Sequence, residues 1–181
     1  IATGKTGVVY MQNSGIGNAI NPMLSLADKK VYSVPILYMV GYRGEPGIKD
    51  EPQHITQGEL TLPLFDTLGI KSFLLNDSFE DQILECREYM NATGKSVALI
   101  VKKDMFLTYK KRDIYTNNYS LTRESALETI LSCLDSDEYI VSTPGKTSRE
   151  IYEIRERSGA GHGNDFLTVG SMGHSSSLAL E

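Results

Sequence analysis

Asp165-Phe166-Leu167-Thr168-Val169-Gly170-Ser171-Met172-Gly173-His174-Ser175-Ser176-Ser177 is the stretch whose reading decides the fold of this chain. A short apolar run stops at glycine, turns through Gly-Ser-Met-Gly, and then opens like a helix. Strand, glycine turn and helix start form the geometry that brings backbone groups close to a ligand at the carboxyl end of a sheet. Upstream, Ile140-Val141-Ser142-Thr143-Pro144-Gly145-Lys146-Thr147-Ser148-Arg149-Glu150 repeats the arrangement. Two such turns in one part of the chain point to a cofactor site.

The same alternation extends outward from the tail. Asn91-Ala92-Thr93-Gly94-Lys95 reads as a helix ending on a glycine cap before a strand over 96–102. Ile1-Ala2-Thr3-Gly4-Lys5 has the same form before a strand over 7–11, which implies a helix cut away ahead of residue 1. The glycine turn Asn13-Ser14-Gly15-Ile16-Gly17-Asn18 leads into a helix over about 18–28 carrying Ile20, Met23, Leu24 and Ala27. Residues 34–42 are nearly continuous apolar, the pattern of a strand covered on both faces, with Pro35 at its start. A polar loop over 43–53 precedes a helix over about 54–68, which Pro63 kinks or divides. After a short strand over 71–75, Asp77 or Ser78 caps a helix with Phe79, Ile83, Cys86 and Met90 on one face.

Residues 104–120 break the pattern. Lys110, Lys111, Arg112, Tyr115, Asn117 and Asn118 show no apolar periodicity and read as an interdomain linker. Beyond them come a helix over 121–134 with Ala126, Leu127, Ile130, Leu131 and Leu134, and a strand over 138–142. A helix over 147–157, a glycine-rich loop over 158–164 and a strand over 166–169 complete the chain before its tail. Alternating strands and helices define an α/β chain with mainly parallel sheets. We expect a first domain over 1–105, a linker over 106–120 and the start of a second domain over 121–181.

A chain of 181 residues with 40% hydrophobic and 23% charged residues has the make-up of a soluble globular protein. Its net charge of -5 argues against a broad nucleic-acid surface while allowing a local basic pocket for a small anion. No apolar run approaches a membrane span and no signal peptide opens the sequence, so a cytoplasmic location is expected. Cys86 and Cys133 sit in apolar helical patterns without metal-ligand spacing, and both are expected as buried thiols.

Pro144-Gly145-Lys146-Thr147-Ser148 ends a strand and begins a helix, with Thr147 and Glu150 spaced as a capping box. Free N–H groups, the helix dipole and the Lys146 ammonium would hold a phosphate or diphosphate. It is not a P-loop, because Ile140 stands where that motif needs its first glycine. The stretch is either this anion site or simply a well-capped helix. His54, His162 and His174 all lie in polar, glycine- or proline-rich segments without zinc spacing, as exposed loop residues or as titratable donors near a site. The segment 43–54, with Arg43, Glu45, Lys49, Asp50, Glu51 and His54, is either a solvated loop or a substrate loop for an acidic compound.

Taken together, Q-N-S-G-I-G-N-A-I-N-P, G-Y-R-G-E-P-G-I-K-D-E-P-Q-H, T-P-G-K-T-S-R-E and D-F-L-T-V-G-S-M-G-H-S-S-S resemble phosphonopyruvate decarboxylase, in order and along essentially the whole chain. That family and its relative sulfopyruvate decarboxylase are thiamine diphosphate-dependent decarboxylases. The resemblance implies a parallel-sheet pyrimidine-binding (PYR) domain over 1–105 and the beginning of an α/β diphosphate-binding (PP) domain over 121–181. It also implies a homo-oligomer with the cofactor between subunits. By motif, the Gly170 carbonyl accepts from the cofactor's 4′-amino group, and Met172, beside Ser171, is the apolar wedge that keeps the cofactor bent. Gly145, Lys146, Thr147 and Ser148 match the loop beside the diphosphate. Asn13 and Asn18 belong to the PYR glycine turn, while Arg43, Lys49, Gln53 and His54 lie in the matching substrate-side segment.

The resemblance places the activating glutamate before residue 1 and the Mg²⁺-binding segment beyond residue 181, so no catalytic residue and no metal ligand is assigned within this chain. The Leu180-Glu181 ending resembles a cloning scar. A fragment that is inactive alone is therefore expected. The implied reaction is decarboxylation of 3-phosphonopyruvate to phosphonoacetaldehyde, with sulfopyruvate decarboxylase or a non-catalytic diphosphate-binding module as alternatives.

Overall fold

Five consecutive apolar residues, Val97–Val101, form a strand buried along its entire length. A β-strand turns successive side chains to opposite faces, so such a run is stable only where both faces are covered. The structure, a computed structural model, describes residues 5–110 and 118–180. The phrase Ile1-Ala2-Thr3-Gly4, the linker residues Lys111, Arg112, Tyr115 and Asn117, and Glu181 lie outside the described residues. The chain forms two units, Ile1–Tyr109 and Lys110–Glu181.

In chain order the first unit contains β1 (Gly7–Gln12), a 3-10 turn (Asn13–Gly15), α1 (Ile16–Ser25), β2 (Ile36–Gly41) and α2 (Pro52–Thr67). It continues with β3 (Lys71–Leu74), α3 (Phe79–Thr93) and β4 (Val97–Val101). Its sheet has the order β1-β2-β4-β3 and every pair is parallel. On one face Tyr38, Val40, Ala98 and Ile100 pack with Ile16 and Met23 of α1 and Phe65 of α2. On the other, Leu37, Val97, Leu99 and Val101 pack with Cys86 and Met90 of α3. Burial pushes the Cys86 thiol pKa up, so it remains a neutral core group.

The second unit contains α4 (Arg123–Ser132), β5 (Ile140–Ser142), α5 (Lys146–Ser158), β6 (Asp165–Leu167) and α6 (Ser175–Leu178). β5 and β6 form a parallel pair. The whole chain is therefore α/β with parallel sheets, as the alternating pattern implies. Among the described residues, no helix is long and apolar enough to cross a membrane.

Local expectations are corrected in several places. The turn 13–18 is not a free loop: Gly15 and Gly17 hold no positive φ, and the chain enters the 3-10 turn at Asn13 and α1 at Ile16. Pro63 does not divide α2, which is one helix. Its missing N–H leaves the carbonyl of Glu59 without its helical donor, but both residues are exposed and water can replace the bond. Ser78 sits at the N-cap of α3 without a side-chain capping bond. Asn76 accepts the Ser78 N–H instead, and Gln82 bonds Asn76 N and Leu74 O. Phe79 and Ile83 are 50% and 43% exposed, so only Cys86 and Met90 of that face reach the core.

Cys133 is exposed rather than buried, because it caps the end of α4, a helix with no buried residue. The expected capping box at Thr147 and Glu150 does not form. Gly145 is the N-cap, with φ 97° and ψ -137°, a conformation that glycine adopts without a Cβ clash. The helix thus starts before Thr147, and Glu150 is taken by the Arg123 guanidinium (Nε–Oε2 2.6 Å). A capping box does exist one helix earlier, between Thr122 and Ser125.

Candidate functional site

In the second unit the two glycine turns are tied together. The buried Ser148 hydroxyl lies 2.7 Å from the Ser142 hydroxyl, 2.7 Å from the Thr143 carbonyl and 3.0 Å from the Thr168 carbonyl. The Thr168 hydroxyl donates to the Ser142 carbonyl at 2.6 Å. One residue from the first turn of α5 therefore fastens the carboxyl ends of β5 and β6 side by side. Ser148 uses its hydroxyl for this lacing, which leaves its backbone N–H as its means of meeting an anion.

Around that knot the other motif residues are accessible. Gly145 and Lys146 are exposed, Thr147 is half-buried, and no side chain caps the start of α5. A helix start without a side-chain cap carries partial positive charge on its N–H groups. Gly170 is half-buried, Ser171 has φ 57°, Gly173 has φ 92°, and Met172 stands 81% exposed at the tip of the turn. His174 is the N-cap of the four-residue α6 and lies 3.2 Å from the Ser171 carbonyl through Nδ1.

The remaining histidines sit in dissimilar settings. His162 stacks on Tyr152 (centroids 4.4 Å apart), with Nε2 2.8 Å from Glu156 and Nδ1 3.3 Å from Asp165. The Glu156 hydrogen bond, with Asp165 adding to it, raises its pKa above the ordinary 6.5. His54 is not in a loop but in the first turn of α2, beside Gln53, and its buried Nδ1 has no hydrogen-bond partner.

In the first unit a cavity of about 500 Å³ opens at the carboxyl ends of β1, β2 and β4, beside Gln12, Gly41 and Val101. That is where parallel α/β sheets place ligands. Its charged lining includes Arg43, Lys49, Asp50, Lys103 and the Glu45–Lys102 ion pair, 2.7 Å apart. Arg43 is not a loose cation. Its Nε donates to Asp50 Oδ2 at 2.8 Å and its Nη2 to Oδ1, while Asp50 also accepts the Gly44 and Glu51 N–H groups at 2.7 and 2.8 Å. The Arg43 hydrogen bond, with the backbone donors adding to it, holds the Asp50 carboxyl well below the usual carboxylate range.

Asn13 fastens this loop from beneath. It is 4% exposed, its Nδ2 donates to the Arg43 carbonyl (2.7 Å) and Thr61 Oγ1 (2.9 Å), and its Oδ1 accepts the Arg43 N–H (3.3 Å). Asn13 therefore acts inside the protein, and Asn18 is exposed on α1. Gln53 and His54 do not line the cavity, whereas Arg43 and Lys49 do. Sequence reading missed Asp50 as the partner of Arg43, although its acidic side chain seven residues on was the available signal.

A parallel α/β chain with turns gathered at strand carboxyl ends defines the structural class. Within it, the chain is similar to phosphonopyruvate decarboxylase along nearly its whole length. It is 28% identical to that of Streptomyces viridochromogenes and 29% identical to that of Streptomyces hygroscopicus, over 98% of this chain and 47% of each relative. It is also 41% identical over 70 residues to the sulfopyruvate decarboxylase subunit alpha of Methanococcus maripaludis, covering 39% of this chain and 40% of that protein. The relatives are named as decarboxylases. The chain spans about half the length of the phosphonopyruvate decarboxylases it matches. No family model matches it.

Proposed function

We propose that this chain is part of a thiamine diphosphate-dependent decarboxylase that converts 3-phosphonopyruvate to phosphonoacetaldehyde and CO₂, a step of phosphonate (2-aminoethylphosphonate) biosynthesis. In this reading residues 1–105 are the PYR part, 106–120 the linker and 121–181 the start of the PP part. The protein is a cytoplasmic homo-oligomer with its cofactor between the PYR part of one subunit and the PP part of another.

The observation that carries the reading is the lacing of the two turns through Ser148 and Thr168. It supports a single cradle built from the sequence motifs that resemble a cofactor site. The residues present fit the group. N–H donors at the α5 start and the Lys146 ammonium suit a diphosphate, and the exposed Met172 suits an apolar wedge beneath a ring. Gly145, Lys146, Thr147 and Ser148 hold the anion, Ser148 through its backbone. Gly170 offers its carbonyl to the aminopyrimidine, and Ser171 and Met172 shape the turn. Bound thiamine diphosphate supplies the carbanion nucleophile and the electron sink that let CO₂ leave. Among the described residues no group of three or more His, Cys, Asp or Glu is placed to hold a metal ion.

Sulfopyruvate is the second substrate to consider, since the Methanococcus relative matches at 41% identity over its shorter span. The test is CO₂ release by a protein carrying this sequence at the full length of its phosphonopyruvate decarboxylase relatives, with thiamine diphosphate and Mg²⁺. Release from phosphonopyruvate supports the first reading, and release from sulfopyruvate alone selects the second. Cofactor binding with no turnover of either acid leaves a non-catalytic diphosphate-binding module.

A further inference from the structure

The mouth of the first-unit cavity holds an arginine whose orientation is fixed from two sides. Asn13 bonds both the N–H and the carbonyl of Arg43, and Asp50 holds one edge of its guanidinium. A guanidinium carries five N–H donors in a rigid fork. Two of them meet Asp50, and the guanidinium makes no further hydrogen bond among the described residues. The Arg43 side chain is 43% exposed and lines the cavity, so it is pinned without being covered.

Backbone geometry reinforces the frame. The loop crosses α2 so closely that a Cβ on Gly44 would lie 1.9 Å from the His54 carbonyl oxygen. A Cβ on Gly58 would lie 1.7 Å from the Gly44 carbonyl oxygen. Gly44, at φ 68°, and Gly58 are thus the residues that permit the crossing. A charged group held in place before its ligand arrives loses less freedom on binding than a flexible one.

We propose that Arg43 is a preorganised receptor for the acidic oxyanion group of the substrate, with Asn13 and Asp50 as its positioning residues. The proposal rests on the 2-oxo acid decarboxylase reading for the identity of the substrate. The unengaged edge of the fork matches two oxygens of a phosphonate or sulfonate, a geometry that a lysine ammonium does not reproduce. Lys49 and Lys103 add positive charge to the same cavity, against the negative charge of Asp104, which also lines it.

Charge and positioning make opposite predictions for Asp50→Asn. Removing a carboxylate makes the cavity more positive, so simple attraction would tighten anion binding. Loss of the clamp frees Arg43 to leave its position, and binding weakens instead. The probes are methylphosphonate and methanesulfonate, titrated into the 181-residue chain by calorimetry while the Arg43 Nε–H signal is followed by NMR. The expected results are saturable binding that moves this signal and a loss of about tenfold in affinity for Asp50→Asn and for Arg43→Lys. If methylphosphonate binds more tightly than methanesulfonate the site prefers the dianion, and the reverse order assigns it to sulfonates; either supports a receptor at Arg43.

Absence of binding, an unmoved Arg43 signal, or unchanged or tighter binding by folded Asp50→Asn overturns the proposal. Should Asp50→Asn fail to fold, Arg43→Lys decides alone, because it keeps both the charge and a partner for Asp50. Turnover by the longer protein is measured separately. Decarboxylation together with a silent Arg43 sinks this inference only, whereas anion binding without decarboxylation sinks the functional reading only.

Discussion

The two units are held together by different physics. In the first, apolar side chains cover both faces of the central strands β2 and β4 of a four-stranded sheet, and Val40, Phe65, Cys86, Val97, Ala98 and Ile100 are fully buried. In the second, the sheet has two strands, α4 has no buried residue, and among the described residues Ile151 and Ile154 of α5 are the buried hydrophobic ones. Polar ties replace the missing core there: Arg123 with Glu150, Arg157 with Glu124 and Glu128, and Arg155 with Asp165. Exposed ion pairs contribute little and are screened by salt, and two strands alone are marginal. The part of the chain that carries the cofactor-like turns is thus the part that gains most from a ligand or a partner surface.

The largest expected effect tests that contrast directly. Leu99, 1% exposed on the face of β4 that packs against α3, should lose about 3 kcal/mol of stability on substitution by Ala, through lost burial and a residual cavity. Ile130→Ala in the second unit, at a side chain 56% exposed, should change stability by less than about 0.5 kcal/mol. Urea denaturation of both variants measures the difference, and equal losses would break the contrast.

Gly58→Ala comes next. Alanine gains about 1 kcal/mol in helix propensity over glycine. Its Cβ, however, would lie 1.7 Å from a backbone oxygen, an overlap no rotamer change relieves. The steric cost should win, with a net loss of about 2 kcal/mol and a displaced 43–50 loop, seen as a lowered Tm and shifted amide signals. A stabilised variant would show that the crossing is loose.

The smallest effect is a pH dependence confined to the second unit. Because the folded pKa of His162 is raised, its contribution is fully present below pH 6.5 and is lost as pH rises through the folded value. The NMR titration of His162 should therefore have a midpoint above 6.5, moving back toward it in Glu156→Gln. A midpoint at or below the ordinary value removes the pin. The Asp50 carboxyl has the opposite sign: its depressed pKa keeps the Arg43 clamp intact well into acid.

What could be read from the sequence was local and periodic. The run Val97–Val101 declared a doubly covered strand, and Gly94 closes α3 at φ 66° as its phrase implies. The two strand–turn–helix phrases were legible in their repeated form, but the atoms that join them were not. Ser148 reaches Thr168 across 20 residues and Asn13 reaches Thr61 across 48, and such hydrogen bonds leave no periodic trace. Thr147–Glu150 fits a capping box by spacing, yet tertiary pairing of Glu150 with Arg123 and the φ of Gly145 decided otherwise. Cys133 looked apolar by neighbourhood, yet it is the C-cap of α4, a helix with no buried residue, and stands exposed.

The central claim is tested most directly by assaying CO₂ release from 3-phosphonopyruvate. The sample is a protein carrying this sequence at the full length of its phosphonopyruvate decarboxylase relatives, with thiamine diphosphate and Mg²⁺. Stoichiometric CO₂ and phosphonoacetaldehyde, dependent on the cofactor, are the predicted result. No release from phosphonopyruvate or sulfopyruvate by a folded protein that binds the cofactor would contradict it.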